Sequence, residues 1–138
     1  MEHLVIDSSI IVSYLVESDS RDQMALSYFS GLENGDYSFH APMLVPVEVA
    51  GALGRREPLA NRLAIYLRWQ QTISEWEEAG KITLYPLNRD RMNNAVNITQ
   101  HNRLRGADSI VAGLAQESDM PLKTFDREIL QRFQRASV

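Results

Sequence analysis

The sequence predicts an α/β protein: a three-layer α/β/α sandwich around a short parallel sheet, forming a single domain over residues 1–138. Three observations carry that expectation. Short apolar runs alternate with stretches of helical periodicity, and strands separated by helices of this length pair in parallel through right-handed crossovers. The length, 138 residues, is that of one domain, and the 44% hydrophobic content is enough for a core. Finally, four isolated carboxylates stand where a strand ends or the helix beside it begins: Asp7, Glu48, Asp108 and Asp126.

Taken in order, residues 3–6 form an apolar run bounded by Asp7-Ser8-Ser9 and read as a buried strand. Ser8 or Ser9 is placed to cap a helix over 10–17. A second helix starts at Ser20, with Gln23 completing a capping box, and carries Met24, Tyr28 and Leu32 on its apolar side. Asn34-Gly35 ends it. Residues 37–41 give the second strand. After Pro42, Val45, Val49, Ala52 and Leu53 repeat at helical spacing, with Glu48 as an acid beside the stripe. Pro58 opens a long helix closed by Gly80, striped by Leu59, Leu63, Tyr66, Trp69, Ile73 and Trp76. A third strand spans 81–87, and Asn88 caps a helix carrying Met92, Ala95, Val96 and Thr99. After Gly106, Ile110, Val111, Leu114 and Ala115 face inward. Residues 121–125 form the fourth strand, and Asp126 starts a terminal helix with Ile129, Leu130 and Phe133. There is no internal repeat, linker or low-complexity tract.

Composition narrows the chemistry. The chain has no cysteine, which excludes disulfides and thiolate metal sites and leaves oxygen or imidazole as ligands. No apolar run approaches the ~20 residues that span a bilayer, and the N-terminus lacks the pattern of a signal peptide, so the expected location is the cytoplasm. A net charge of −4 argues against coating nucleic acid by bulk attraction. It leaves room for a nuclease whose acids are gathered at a metal. The 14 basic residues are 12 Arg and 2 Lys, a balance that suits bidentate phosphate contacts.

In an open α/β sheet, sites form at the carboxyl ends of the strands. Asp7 and Asp126 follow strands directly, and Glu48 and Asp108 lie on helices within reach of the same rim. Two bare carboxylates ~4 Å apart repel by ~4 kcal/mol at an effective dielectric of ~20. Several such pairs need a cation or raised pKa values. Mg²⁺, or alternatively Mn²⁺, is the natural occupant, and such an ion activates water and stabilises charge on a phosphate. Each acid taken alone is equally an ordinary helix cap or surface residue.

The same residues carry a family resemblance that covers essentially the whole chain. LVIDSSIIVSYL, APMLVPVEVAGALGRR, LRGADSIVAGLA and PLKTFDREI resemble, in order, the four acid blocks of PIN-domain proteins, and most closely VapC-type toxins of toxin–antitoxin pairs. Successive acids are 41, 60 and 18 positions apart, in agreement with that pattern. The resemblance implies a PIN-like fold and a Mg²⁺-dependent endoribonuclease cleaving structured RNA, with tRNA or ribosomal RNA loops as targets. It implies a VapB-type antitoxin partner and a homodimer. It makes Asp7, Glu48, Asp108 and Asp126 catalytic residues and metal ligands, with Glu48 ligating or positioning the attacking water. Ser9 and Thr124 would orient Asp7 and Asp126. The chain departs from the family at two points: Gly51 stands where an Asn is common, and the end at Val138 leaves the final edge strand short or missing.

Outside the acids, Arg55, Arg56, Arg103 and Arg105 could draw RNA phosphates toward the rim, or be solvated surface residues. Trp69 and Trp76 read either as core or as a groove for a partner helix or second copy. His3, His40 and His101 lack ligand spacing, and Met24, Met43, Met92 and Met120 read as core or loop packing. Competing functions are a stand-alone PIN nuclease without an antitoxin, an inactive RNA- or protein-binding PIN module, and phosphotransfer on an aspartate as in receiver domains. The last needs a lysine at the last strand end and paired acids near the first, and Lys123 and the solitary Asp7 do not match it.

Overall fold

The central strand β1 (Glu2–Ile6) sends Leu4 and Ile6 to one side of the sheet and Val5 to the other, and all three are fully buried. That is why HLVI reads as a continuous apolar run: a parallel strand is covered on both faces. The computed structural model describes residues 1–16 and 22–138. β1 is followed by α1 (Ser8–Val16) and α2 (Asp22–Asn34), then β2 (Tyr37–Pro42), α3 (Leu44–Arg56) and α4 (Leu59–Glu78). β3 (Ile82–Tyr85), α5 (Arg89–Asn102), α6 (Gly106–Ser118), β4 (Leu122–Lys123), α7 (Arg127–Arg132) and β5 (Ala136–Ser137) complete the chain. The sheet order is β3-β2-β1-β4-β5, with every neighbouring pair parallel. The final edge strand is present and short.

Helices α1 to α4 cover one face, packing Ile10, Phe29, Val49, Leu53, Trp69 and Trp76 onto Leu4, Ile6, Phe39 and Ile82. On the other face, Ile98 of α5, Val111 and Leu114 of α6 and Ile129 of α7 enclose Val5 and Leu122. The result is the expected three-layer sandwich. Since β1 has β2 on one flank and β4 on the other, the strand order reverses at β1. A crevice at the carboxyl end of β1 is where such sheets place their sites.

Helix ends follow the sequence closely. The Asn88 side chain accepts from the Arg91 backbone N–H at the start of α5. Gly35 and Gly80 take positive φ (84° and 73°) after α2 and α4. Behind Gly80, Lys81 N–H donates to Trp76 O and Gly80 N–H to Glu77 O, the paired closure that favours glycine at this position.

Several predicted faces are rotated. Met24 is 42% exposed, and the buried side of α2 is Ala25, Tyr28, Phe29 and Leu32. Steps of four residues drift about 40° per turn from a straight face, so a stripe drawn at i, i+4, i+8 walks off the core. In α5, Met92 and Val96 are exposed while Ala95 and Ile98 are buried. Met43 also lies outside, whereas Met120 packs against the second core. Leu59 and Leu63 are exposed because the first turns of α4 lie off the core, which the helix meets from Ile65 and Tyr66 and where Trp69, Ile73 and Trp76 are buried. Trp69 and Trp76, 2% and 6% exposed with ring centroids 5.9 Å apart, are core residues, and the groove reading of that pair falls. His3 lies within β1, and its Nδ1 is 2.9 Å from His40 Nε2, while His40 Nδ1 is 2.8 Å from the Tyr85 hydroxyl. The predicted capping residue Ser20 and the helix end at Glu17 lie outside the described residues. No helix among the described residues is long and apolar enough to cross a membrane.

Candidate metal centre

Strand β1 delivers Asp7 to the rim, 5% exposed, with its backbone N–H bonded to Lys123 O of β4 at 3.0 Å. Its carboxylate is held from two sides. Ser9 Oγ donates to Oδ2 at 2.8 Å and Thr124 Oγ1 donates to the same oxygen at 2.7 Å. Each hydroxyl also accepts a backbone N–H, Ser9 from Phe125 and Thr124 from Asp126, both at 3.0 Å. The two hydroxyls therefore tie the end of β1 to the chain following β4. Both protons go to Oδ2, so among the described residues Oδ1 keeps its lone pairs for another partner. Ser9 sits within α1 and does not cap it.

Asp126 is the N-cap of α7. Its Oδ1 accepts from Glu128 N–H at 2.9 Å and Ile129 N–H at 3.1 Å, which leaves Oδ2 to face Arg105 at 3.4 Å. The cap and rim positions are thus compatible in one residue, one oxygen each. Asp108, in the first turn of α6 and 7% exposed, accepts from Arg105 Nε at 3.2 Å. Glu48 lies half-buried on α3 between the buried Val45 and Val49.

Electrostatics links these residues. Burial, and then the charges of Asp7 and Asp108, push the Glu48 carboxyl up to about 7, with Arg105 pulling it the other way. Asp108 is raised by burial and by Asp126, against the opposing pull of Arg105. Oxygens of Asp108, Asp126 and Glu128 lie within 4.8 Å of one another, the tightest acidic group among the described residues. Asp7 and Glu48 are outside that trio and reach it electrostatically through Asp108.

Two features were not legible as site elements. Glu128 is not singled out by the sequence reading, although an acid two positions after a strand-end Asp, in the first turn of the next helix, is placed for the same rim. Arg105, expected as a phosphate contact or a solvated surface residue, is 70% exposed and sets its guanidinium against Asp108, Asp126 and Glu128. Arg103, in a left-handed conformation after α5, accepts from the Arg132 guanidinium through its carbonyl. Arg55 and Arg56 end α3 in exposed positions. Lys123 Nζ bonds Ser137 Oγ at 2.8 Å, where phosphotransfer would need it against the strand-end carboxylate.

The donor set fits a hard divalent cation. Three carboxylates, Asp108, Asp126 and Glu128, contact the Arg105 guanidinium, with Asp7 and Glu48 nearby, and no thiolate or imidazole stands among them. Oxygen-only sets of this kind suit Mg²⁺ and Mn²⁺. Such an ion would also offset the burial, and with it the Asp7 and Asp108 charges, that together raise the Glu48 carboxyl.

No family model and no curated protein matches the sequence. Solved structures do match over nearly the whole chain. VapC20 of Mycobacterium tuberculosis, described as a sarcin–ricin loop cleaving toxin, superposes with a TM-score of 0.70 at 13% identity, covering 96% of this chain and 97% of that one. FitAcB of Neisseria gonorrhoeae gives 0.72 at 15% identity, over 96% and 94% of the two chains. VapBC2 of Rickettsia felis, bound to a DNA fragment from its promoter, gives 0.65 at 9% identity, over 97% and 95%. With so few identical residues, the shared property is the path of the backbone: this chain has the PIN-like α/β/α fold of these toxin structures.

Proposed function

We propose that this chain, as one domain over residues 1–138, is a VapC-type PIN-domain toxin that cleaves structured RNA with Mg²⁺ or Mn²⁺. The observation that carries the reading is the convergence of Asp7, Glu48, Asp108 and Asp126, from four separate segments, at the carboxyl end of β1 and β4. The fold shared with VapC20 supports the same class of activity, and loops of tRNA or ribosomal RNA are the favoured substrate. In this reading Asp7 Oδ1 and Asp108 would hold the ion, with Asp126 Oδ2 completing the set. The bound ion supplies activation of water and charge stabilisation at the phosphate.

The protein's own residues do the rest. Ser9 and Thr124 fix the Asp7 carboxylate in one orientation, so its free oxygen points consistently. Glu48, with a pKa near neutrality, is matched to accept a proton from water attacking in line with the leaving oxygen. Arg55, Arg56 and Arg103 lie exposed to meet the RNA backbone. A VapB-type antitoxin and a second copy of the chain are the proposed partners, with the cytoplasm as the place of action. The exposed apolar residues Val47, Leu63 and Leu67 on α3 and α4 supply uncovered surface for one of them.

The test is cleavage of a panel of structured RNAs by the purified chain with Mg²⁺, with Mn²⁺ and with EDTA, beside Asp7→Asn and Asp108→Asn. The expected result is metal-dependent endonucleolytic products that both substitutions abolish. Cleavage surviving EDTA or both substitutions removes the metal mechanism. Metal-insensitive RNA binding without products would make the chain an inactive binding module.

A further inference from the structure

Among the described residues, Arg105 is the one cation that shifts the rim carboxyls, and its setting is unlike that of a structural ion-pair residue. Its backbone is fixed at the N-cap of α6, where its carbonyl accepts the Ser109 N–H at 2.9 Å. Its side chain caps nothing and is 70% exposed. The guanidinium spreads over three carboxylates at 3.2, 3.4 and 3.6 Å: Asp108, Asp126 and Glu128. Contacts of this kind are screened by water and individually weak. Asp108 Oδ2, the oxygen it holds most closely, belongs to the most buried of the three carboxylates.

We propose that Arg105 is an exchangeable counter-ion: it spans Asp108, Asp126 and Glu128 when no metal is bound, is displaced when a divalent cation enters, and is thereby freed to take a phosphate of the substrate. The inference rests on the proposed metal-dependent reading and adds an order of events to it. A +2 ion at Asp108 repels a guanidinium a few ångströms away and competes for the same lone pairs. The long side chain then swings outward from a fixed Cα. Its planar fork presents two parallel N–H donors, the geometry that phosphate oxygens accept. Cation and substrate binding are coupled through one residue, and the metal-free rim never carries its full negative charge.

The consequence is a pair of opposite effects that a merely structural arginine does not produce. Isothermal titration with Mn²⁺ alone should show Arg105→Gln binding the ion roughly three- to tenfold more tightly than wild type, because the competing cation is gone. RNA cleavage by the same variant at saturating Mn²⁺ should show a raised KM. Arg105→Lys keeps a charge without the fork, so its Mn²⁺ affinity should stay close to wild type while its KM for RNA also rises. Wild-type protein gives an independent readout: the NMR signal of the Arg105 Nε–H, identified by its absence in Arg105→Lys, should move to a solvent-exchanging position on Mg²⁺ addition. Mn²⁺ binding by Arg105→Gln that is equal to or weaker than wild type overturns the proposal, as does an Nε–H signal indifferent to Mg²⁺. Wild type that binds no Mn²⁺ fails the metal reading itself, a result distinct from tight binding that ignores Arg105.

Discussion

Asp7 and Asp126 each follow a strand on the same rim, yet they are held in opposite ways. Asp7 is buried, and two hydroxyls from different segments clamp one oxygen. Asp126 is partly open, gives one oxygen to a helix cap and the other to a long, exposed arginine. The first corner is preorganised, since ordering Asp7 has been accomplished by folding. The second is exchangeable, because both its charge partner and its solvent exposure permit rearrangement. Under the proposed function, a fixed corner would define the ion's position and a loose one would let substrate and product pass.

Breaking the fixed corner should have the largest effect. Asp7→Asn removes the charge while keeping hydrogen-bonding shape, so RNA cleavage should fall on the order of 10²–10³-fold or more with little change in melting temperature. Thr124→Val acts on the clamp. It strips one donor from the buried Asp7 carboxylate and leaves the Asp126 N–H without its acceptor, at a cost of about 2–3 kcal/mol seen in denaturant unfolding. Cleavage should drop 10- to 100-fold, as for other groups that orient a metal ligand. Thr124→Ser keeps the hydroxyl and should restore most of both. A Val variant as active as wild type would mean that Asp7 needs no clamp.

Acid–base behaviour probes the centre of the rim. Folded Glu48 keeps its proton up to about pH 7, whereas an ordinary Glu releases it near 4.5. Between those values the folded chain binds more protons than the unfolded one, so stability falls as pH rises. The metal-free protein should therefore be most stable near pH 4.5 with respect to this group and lose stability up to about pH 7. Asp108 is shifted in the same direction. Solvent access reduces the effect to on the order of 1 kcal/mol, a few degrees in thermal melts with EDTA at pH 5 and 8. Cation binding has the opposite sign, because a ligand must first lose its proton. Mn²⁺ affinity should strengthen as pH passes through 7, and Glu48→Gln should flatten both trends.

The contrast between the corners also explains what the sequence made legible. Asp7 and Asp108 stand out because each is an acid against an apolar segment, and an apolar segment fixes where its neighbour goes. The strands were legible for the same reason, including HLVI as a doubly covered strand. The ion pairs of Arg105 with the rim acids, and the place of Glu128 among them, were not legible because both are long side chains at helix starts. Backbone placement limits such groups only to a sphere of reach, and the neighbouring charges decide where within it they settle. The rotated face of α2 has another cause: Met24 and Ala25 are both apolar, and only packing distinguishes them. Trp69 and Trp76 were left between core and groove by spacing alone, which shows which residues share a face but not what covers it.

The smallest expected effect is also the one that best separates the two jobs of Asp126. Asn is as good an N-cap as Asp, so Asp126→Asn should melt within about a degree of wild type, while Asp126→Ala should lose about 1 kcal/mol. If Oδ2 also serves the rim, the Asn variant should bind Mn²⁺ a few-fold more weakly despite its intact cap, since charge has been removed without disturbing α7. The Ala variant should add a stability loss to the same Mn²⁺ defect. Should Asn bind Mn²⁺ and cleave RNA like wild type, Asp126 is a helix cap alone. The working carboxylates would then be Asp7, Glu48 and Asp108, and the exchange of Arg105 would rest on the buried Asp108 and the more open Glu128 alone.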